Sequence, residues 1–408
     1  MSKHFAGPCN FHFQLSEIFH RSEHPVHAKG GIMRGNLHLQ IVLLLNTFAS
    51  STMGLSLPGQ SAITSKDVDA VGKMILDHYG DRRPREYSIV YTCQYLCGGW
   101  GDRLNGIVVT FYTALALDAH FAVQVEGPLP LPSIFPDTNR FAATKPCQAA
   151  QRINWIDKLK PRGLLAHSKE YARVFHKKGC YMIQANAAVW AEVVNNTALP
   201  WHPKLISALR PFDSISLYVL AYRLLLRRIS GLLEPAYQDW EKRIPPQALH
   251  VGIQLRMGGK WHDAKRLLPA CLPIVVRELL AKCASAKLIA VFATSDSQEA
   301  LATVSKLLKD AAGNGTTITM HQTPGEILHI DRSMVHSQTS TTAQLKPYLD
   351  WVLLSKMEHL VVSRSGFGET AAWSSNVDFT IVDKAKCRVR RFSRTVARRR
   401  RVLAAERG

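Results

Sequence analysis

The second half of the chain alternates strand-like and helix-like segments, and this alternation constrains the fold more than any other feature of the sequence. Apolar runs of strand length are separated by longer segments whose apolar residues recur at helical spacing. The predicted strands are 249–255, 287–294, 316–320, 359–363 and 378–382, and the predicted helices are 268–284, 297–311, 342–357 and 368–374. Strands joined by helices of this length need right-handed crossovers, so the sequence predicts a parallel sheet flanked by helices.

Polar residues stand where three of these strands end. They are Arg256 after the first strand, Ser295 and Asp296 after the second, and Ser363, Ser365, Gly366 and Phe367 at and after the fourth. Because ligands bind at the carboxyl ends of the strands in open α/β sheets, we expect these residues to meet at one edge. An arginine, a carboxylate and a glycine-rich turn before a helix predict a site for a phosphorylated, ring-bearing ligand.

Each of these residues also has a purely structural interpretation. The planar fork of Arg256 suits phosphate oxygens, but it could instead pair with Asp296 or Asp263. Asp296 could accept two hydrogen bonds from a base edge such as that of guanine, or merely cap the following helix. Ser363 and Ser365, with the N–H groups of the glycine-rich turn, could bind an anion or act only as a helix N-cap.

The first half of the chain predicts a βαβ unit with a glycine-rich first turn. A strand at 87–91 leads into the turn at 97–106, and a helix at 107–117 precedes a second strand at 119–125. Such a turn can hold an anion on its N–H groups, or only let a helix pack closely. The sequence has neither a Walker lysine–serine pair nor Gly-x-Gly-x-x-Gly spacing, which argues against ordinary nucleotide hydrolysis and dinucleotide binding.

These patterns divide the chain into four parts. Residues 1–65 are a targeting segment and linker, 66–245 an N-terminal Rossmann-like domain, 246–383 a C-terminal Rossmann-like domain, and 384–408 a basic tail. The N-terminal domain carries an insert, roughly 150–245, that is predicted to be mostly helical. The fold class is therefore α/β, with two Rossmann-like domains of parallel sheet flanked by helices.

The first part has the layout of a secretory signal or signal-anchor. Arg34 precedes an apolar stretch at 37–45, and small residues follow at 49–51. The stretch is short and interrupted by polar residues, unlike a typical transmembrane helix. We expect entry into the secretory pathway (endoplasmic reticulum or Golgi), with membrane anchorage near the N-terminus as one form of it. An organellar transit peptide is the alternative, because residues 1–35 are rich in histidine and basic residues.

Much of the net charge of +20, about half, lies in the basic tail. We expect this tail to be solvated and disordered, because clustered like charges repel and bury little apolar surface. Nucleic acid, anionic lipid or a sorting receptor are alternative partners of the tail. Nucleic acid is disfavoured, because the tail has almost no aromatic residues for stacking on bases.

The eight cysteines are scattered along the chain. Only Cys93 and Cys97 are close together, and no second pair completes a zinc site, so no metal site is expected. Buried free thiols are the simplest interpretation, and one or two disulfides would fit a protein of the secretory pathway.

Blocks of the sequence resemble the fucosyltransferase superfamily that includes protein O-fucosyltransferases, α1,6-fucosyltransferases, rhizobial nodulation fucosyltransferases and plant cell-wall fucosyltransferases. Residues 97–106 resemble its glycine-rich first motif, 252–256 its His-x-Arg strand, and 293–296 and 361–367 its last two blocks. The likeness spans about residues 87–383 in the family's order.

The resemblance implies a GT-B fold, in which two Rossmann-like domains face each other. It implies that the N-terminal domain is the acceptor side, and that the C-terminal domain binds the nucleotide sugar. It further implies metal-independent, inverting transfer of a sugar, most often fucose, from a guanosine diphosphate (GDP) donor, with no cofactor. The residues it places at the donor and acceptor are Gly101, Arg103, Asn105, Gln254, Arg256, Ser295, Asp296, Ser363, Ser365, Gly366 and Phe367.

The expected reaction is a single displacement at the anomeric carbon. Arg256 would stabilise the charge that grows on the leaving diphosphate, where the family's arginine holds the β-phosphate. A carboxylate would deprotonate the acceptor hydroxyl, and Asp102 is the first candidate, followed by Glu126 and Asp263. Asp102 could instead pair with Arg103 as a structural contact.

Gln254 departs from the family, because it stands where the superfamily usually has histidine. Glutamine can hydrogen-bond but cannot carry charge or transfer a proton. The alternative function is therefore a non-catalytic protein that binds a GDP-sugar. A further alternative is a scaffold whose basic tail binds anions or nucleic acid. The acceptor, a glycan or a glycoprotein, cannot be read from the sequence.

Overall fold

The computed structural model describes residues 63–80, 84–93, 97–125, 129–143, 150–156, 158–159, 165–258, 266–312, 315–325, 341–383 and 385–392. Within these residues the chain forms two lobes, each built on one β-sheet. The predicted signal-like segment at 34–51, and the predicted catalytic residues Glu126 and Asp263, lie outside the described residues. None of the helices among the described residues has the length and apolarity needed to cross a bilayer.

The N-terminal lobe contains a four-stranded parallel sheet in the order β2-β1-β4-β3. Its elements are α1 (Ser65–Gly80), β1 (Tyr87–Thr92), α2 (Trp100–Ala116), β2 (His120–Gln124), β3 (Gln151–Asn154), α3 (Lys169–Arg173), β4 (Gly179–Gln184), α4 (Trp190–Val194), α5 (Pro203–Leu209), α6 (Ser214–Leu225) and α7 (Glu234–Arg243). The predicted βαβ unit is observed, because β1 and β2 pair in parallel across α2.

The prediction of a mostly helical insert was wrong for its first part, where β3 and β4 complete the sheet. The outermost strand, β3, is short, polar and largely exposed, so it lacks the apolar alternation that identifies a strand.

The C-terminal lobe contains a six-stranded sheet in the order β10-β9-β8-β5-β6-β7. Its elements are β5 (Leu249–Leu255), α8 (Leu272–Lys282), β6 (Leu288–Ser295), α9 (Gln298–Ala311), β7 (Thr317–His321), α10 (Thr341–Leu354), β8 (His359–Ser363), α11 (Gly366–Ser375), β9 (Phe379–Asp383) and β10 (Arg388–Phe392). Strands β5 to β9 are parallel, and their bounds differ from the predicted ones by at most one residue. The prediction of a parallel sheet flanked by helices is therefore confirmed.

The start of the basic tail is not disordered, which corrects the sequence-based expectation. Residues Arg388–Phe392 form β10, which pairs antiparallel with β9 at the edge of the sheet. Two of its three arginines are paired, since Arg391 forms two hydrogen bonds with the Glu278 carboxylate and Arg390 pairs with Asp383. Counting charges along the sequence misses these partners, because both lie in earlier elements.

Disulfides occur where the sequence favoured free thiols. Cys93 and Cys97 are bonded at the start of the glycine-rich segment, and Cys271 is bonded to Cys387 just before β10. Cys180 is also disulfide-bonded. Among the described cysteines Cys283 is free, and burial raises the pKa of its thiol to about 11. The prediction of free thiols therefore holds for Cys283 and is wrong for the bonded cysteines, and the one or two expected disulfides are exceeded, because Cys180 belongs to a third.

One hydrophobic core spans both lobes and holds them together. It contains residues of β1 and α2 from the first lobe, with residues of α10 and β8 from the second. The Trp100 ring, at the start of α2, packs edge-on against Tyr348 and Trp351 of α10, with ring centroids 4.9 Å and 5.9 Å away. Helix α2 is buried along its length except at Asp102, so the polar side chains of its first turns, Arg103 and Asn105, are buried as well.

Candidate functional site

The first turns of α2 and α11 meet where the two lobes join. A Cβ atom added to Gly101 would lie 2.0 Å from the carbonyl carbon of Gly366 and 2.3 Å from the nitrogen of Phe367. Glycine is therefore required at position 101 by the close approach of the two backbones. Because helix N-termini carry unpaired N–H groups and partial positive charge, the contact places two such termini, one from each lobe, side by side.

Asp102 lies between the glycine-rich segment and α11. Gly98 has φ of +86°, and a Cβ atom there would lie 2.3 Å from the Asp102 carboxylate. On its other side, the Asp102 carboxylate is 3.6 Å from the position of a Cβ atom at Gly366. This half-buried carboxylate therefore belongs to the lobe boundary. The sequence predicted a turn over 97–106, whereas the helix already begins at Trp100 and includes Asp102 in its first turn.

Arg103 and Asn105 are both buried in α2, with 1% and 8% of their surfaces exposed. The Nε atom of Arg103 donates to the carbonyl of Gly98, 3.3 Å away, so the guanidinium braces the glycine-rich segment. Within the described part of the chain, the Oδ1 atom of Asn105 has no hydrogen-bond partner. A buried acceptor of this kind is costly unless a ligand or water satisfies it.

Arg256 and Asp296 form an ion pair at the ends of β5 and β6. The Nη1 atom of Arg256 is 3.1 Å from Oδ2 of Asp296, and the arginine side chain keeps 20% of its surface exposed. The same carboxylate accepts from the backbone N–H groups of Met257 and Gly258, at 2.7 and 2.9 Å. The structural alternative for Arg256, a pair with Asp296, is thus present, and Asp296 orders the loop after β5.

Asp296 does not cap α9, which was one of its predicted roles. The N-cap is Ser297, whose hydroxyl accepts from the nitrogen of Ala300. Ser295 also serves this turn, because its Oγ accepts from the backbone nitrogen of Ser297 at 3.0 Å. The predicted contact of Asp296 with a nucleobase stays a prediction.

Gln254 organises the strand ends around α11. Its Oε1 atom accepts hydrogen bonds from the hydroxyls of Ser363 at 3.3 Å and Ser365 at 3.0 Å. Ser363 in turn accepts from the backbone nitrogen of Arg256 at 2.6 Å. Ser365 is the N-cap of α11 and accepts from the nitrogen of Gly368 at 3.2 Å. The chain of contacts therefore links the N-terminus of α11 to the backbone that carries Arg256.

Sequence patterns did not single out Glu369, which lies in the first turn of α11. Burial raises the pKa of this carboxyl, although the nearby charges of Arg364 and Arg390 lower it in part. The available signal was a glutamate in the first turn after an N-cap serine, where acidic residues favour the helix dipole.

The structure thus brings the predicted residues of the two lobes into one region. Gly101 and Asp102 meet Gly366 across the lobe boundary, and Gln254 connects α11 to the strand that ends at Arg256. Within the described residues, no group of three or more His, Cys, Asp or Glu side chains could hold a metal ion. The region combines two helix N-termini with the Arg256 guanidinium, and such donors suit a diphosphate.

Comparison with known proteins shows the fold. No protein-family model and no curated protein matches the sequence of the chain. Among solved structures, a point mutant of Arabidopsis thaliana FUT1 in complex with GDP matches with a TM-score of 0.52 and 14% identity, over 76% of this chain and 73% of that chain. The expected GT-B-like α/β fold is therefore confirmed, and the likeness to a fucosyltransferase structure is one of fold.

Weaker matches are found with NodZ. A NodZ α1,6-fucosyltransferase soaked with GDP-fucose gives a TM-score of 0.43 and 12% identity, over 75% of this chain and 99% of that chain. The fucosyltransferase NodZ from Bradyrhizobium gives 0.42 and 11%, over the same shares of the two chains.

Proposed function

We propose that this protein is a glycosyltransferase that transfers a sugar, fucose, from GDP-fucose to a hydroxyl of a glycan or glycoprotein acceptor. The observation that carries the proposal is the meeting of the α2 and α11 N-termini at Gly101 and Gly366, in the region that also contains Arg256. The fold shared with FUT1, whose matched structure is in complex with GDP, supports GDP as the nucleotide.

Donor binding would use the ion pair and the first turn of α11. The Arg256 side chain keeps 20% of its surface exposed beside Asp296, and its planar guanidinium suits the oxygens of a diphosphate. The N–H groups at the start of α11 are held in place by the Ser365 cap and by Gln254. Together they would take the role that a divalent cation has in metal-dependent transferases, so we propose that transfer is metal-independent.

The proposed step is a single displacement with inversion. The acceptor hydroxyl oxygen forms a bond to the anomeric carbon of the sugar as the bond from that carbon to the diphosphate oxygen breaks. The electron pair of the broken bond leaves with GDP, whose negative charge Arg256 stabilises. The hydroxyl proton passes to a carboxylate, and Asp102 is the candidate because it faces the N-terminus of α11 from the opposite lobe.

One further feature supports a catalytic site over an inactive one. Gln254 stands where the superfamily usually has histidine, and it accepts hydrogen bonds from the Ser363 and Ser365 hydroxyls. We therefore propose that it positions the start of α11 and takes no part in proton transfer. The non-catalytic GDP-sugar-binding protein is the alternative that activity measurements must exclude.

The compartment is part of the proposal. The Cys93–Cys97 and Cys271–Cys387 disulfides suit an oxidising environment such as the secretory pathway, where disulfides form and persist. We propose that the protein acts there, on acceptors that pass through the endoplasmic reticulum or Golgi.

Proton NMR of GDP-fucose tests the reaction without knowledge of the acceptor. Incubated with the full chain, the donor should be hydrolysed slowly, and the released fucose should first appear as the inverted anomer. Chelation of divalent cations should not change the rate. Absence of turnover with bound GDP-fucose would leave the non-catalytic alternative, and release with retained configuration would contradict the proposed step.

A further inference from the structure

A second group of cationic side chains lies beside α11, just after β8 and on β10. We define the basic cluster as Arg364, Arg388 and Arg390. In the backbone register of β9 and β10, Arg388 stands opposite Asp383 and Arg390 stands opposite Ile381. Both arginine side chains therefore point to the same face of the sheet as Asp383. Arg391 points to the opposite face, where it bonds Glu278 of α8.

The basic cluster shares one ionised carboxylate. Arg390 Nη2 lies 3.0 Å and Arg364 Nη1 3.4 Å from the Oδ2 atom of Asp383. Burial would raise the pKa of Asp383, but the hydrogen bond and charge of Arg390, with Arg364, leave it lowered. Among the described residues, Arg388 has no ion-pair partner. Even with Glu369 ionised, three cations face two carboxylates, so positive charge is in excess.

Both paired arginines keep most of their donors available. The side chains of Arg364 and Arg390 are 61% and 53% exposed, and each uses one nitrogen at Asp383 in the contacts described above. A planar guanidinium that retains several N–H groups binds carboxylate or sulfate oxygens well. The shared Asp383 fixes both groups on one side, which reduces the entropy lost when an anion binds.

The basic cluster adjoins the proposed donor site. Arg364 stands between Ser363, which accepts from the backbone nitrogen of Arg256, and Ser365, which caps α11. A ligand on the basic cluster would therefore lie next to a bound GDP-sugar without using the groups assigned to the diphosphate.

We propose that the basic cluster binds an anionic group of the acceptor, so that the acceptor is an acidic saccharide carrying a carboxylate or a sulfate ester. The inference rests on the proposed function and names the acceptor class for it. Arg364 and Arg390 would act as specificity-determining residues, because they contact the acceptor and not the reacting atoms.

Calorimetric titration of the full chain, saturated with GDP, tests this directly. The probes are tetragalacturonic acid and its methyl ester, and lactose 3′-sulfate and lactose. One anionic probe should bind at least tenfold more tightly than its neutral counterpart, with an affinity that falls as salt increases. The pair that shows the difference identifies carboxylate or sulfate. Equal binding, or no binding, of charged and neutral probes in both pairs would overturn the inference.

Variants of the basic cluster distinguish a role in acceptor binding from a role in donor binding. Arg364→Gln with Arg390→Gln should remove the preference for the anionic probe and leave GDP affinity unchanged. Arg388→Gln, which breaks no ion pair among the described residues, should weaken the preference several-fold and keep the fold intact. Arg173→Gln, at an exposed side chain of α3, is the control. Loss of GDP affinity in the double variant would assign these arginines to the donor and overturn the inference. Failure of the unaltered protein to bind GDP would instead contradict the proposed function.

Discussion

Gly101 of one lobe lies against the backbone of Gly366 of the other, with no room for a side chain between them. The contact brings the N-terminus of α2 to that of α11. Helix α11 follows β8, and β8 lies next to β5, the strand that Arg256 follows. The unpaired N–H groups of two helices therefore open onto one region, which explains how residues distant in sequence form one candidate site.

Gly101→Ala should damage this region. The new Cβ would overlap the backbone of Gly366, so the lobes must shift apart, at a cost of about 1–3 kcal/mol in unfolding free energy. We expect a lower melting temperature and weaker GDP binding. Gly231→Ala is the matched control, because nothing lies within 4 Å of its added Cβ. Unchanged GDP affinity in Gly101→Ala would show that the contact does not support the donor site.

Arg256→Ala should abolish turnover of GDP-fucose and leave the fold intact. Removing one group that stabilises charge on a leaving oxygen typically lowers the rate by about 10²–10³-fold. The Asp296 carboxylate keeps its bonds to Met257 and Gly258, so the loop should stay ordered. Arg173→Ala, at an exposed ion pair with Glu170, is the control. Turnover like that of the unaltered protein would remove Arg256 from the proposed mechanism.

Gln254→Met tests whether Gln254 positions the first turn of α11. Methionine has a similar length but cannot accept the hydrogen bonds of Ser363 and Ser365, so the first turn of α11 loses its support. We expect kcat/KM for GDP-fucose to fall about tenfold, which corresponds to about 1.4 kcal/mol. Gln238→Met, on the exposed surface of α7, should have no effect. Full activity of Gln254→Met would show that the hydroxyls need no acceptor.

Asp102→Asn should lower turnover far more than donor affinity. Asparagine keeps the shape beside Gly98 but cannot accept the proton of the acceptor, and loss of a general base costs about 10²–10⁴-fold. Steady-state kinetics and GDP titration would be compared in the same variant. Asp77→Asn, at an exposed pair with Lys73, is the control. If turnover is unchanged, the base is another carboxylate, and Glu126 and Asp263 are the next to be tested.

Glu369→Gln should change the pH dependence of stability. Burial raises the pKa of Glu369, so the folded protein holds this proton more tightly than the unfolded chain does. The protonated Glu369 carboxyl therefore stabilises the folded protein in acid, and this stabilisation is lost as the pH rises through the raised pKa. Glutamine stays neutral, so the variant should melt about 2 °C higher than the unaltered protein near pH 8, with a smaller difference near pH 4. Glu299→Gln, exposed in the first turn of α9, is the control, and an equal gain there would contradict the account.

The C-terminal sheet could be predicted from sequence because its strands are buried on both faces. Such strands, for example β5 and β6, are continuous apolar runs with clear ends. The edge strands β3 and β10 could not be predicted, since their residues are polar or basic and their pairing depends on distant segments.

The candidate site was predictable as a set of strand ends but not in its contacts. The sequence placed Arg256, Asp296, Ser363 and Ser365 at one edge, which follows from parallel topology. It could not show that Gln254 bonds both serines, or that Gly101 touches Gly366, because these contacts depend on side-chain direction and on the packing of the lobes.

Calorimetric titration of the full chain with GDP, beside uridine and adenosine diphosphates, tests the central claim most directly. The account predicts micromolar binding that is selective for the guanine nucleotide, independent of magnesium, and weakened by Arg256→Ala. Failure to bind any of the three nucleotides, or binding that requires magnesium, would contradict it.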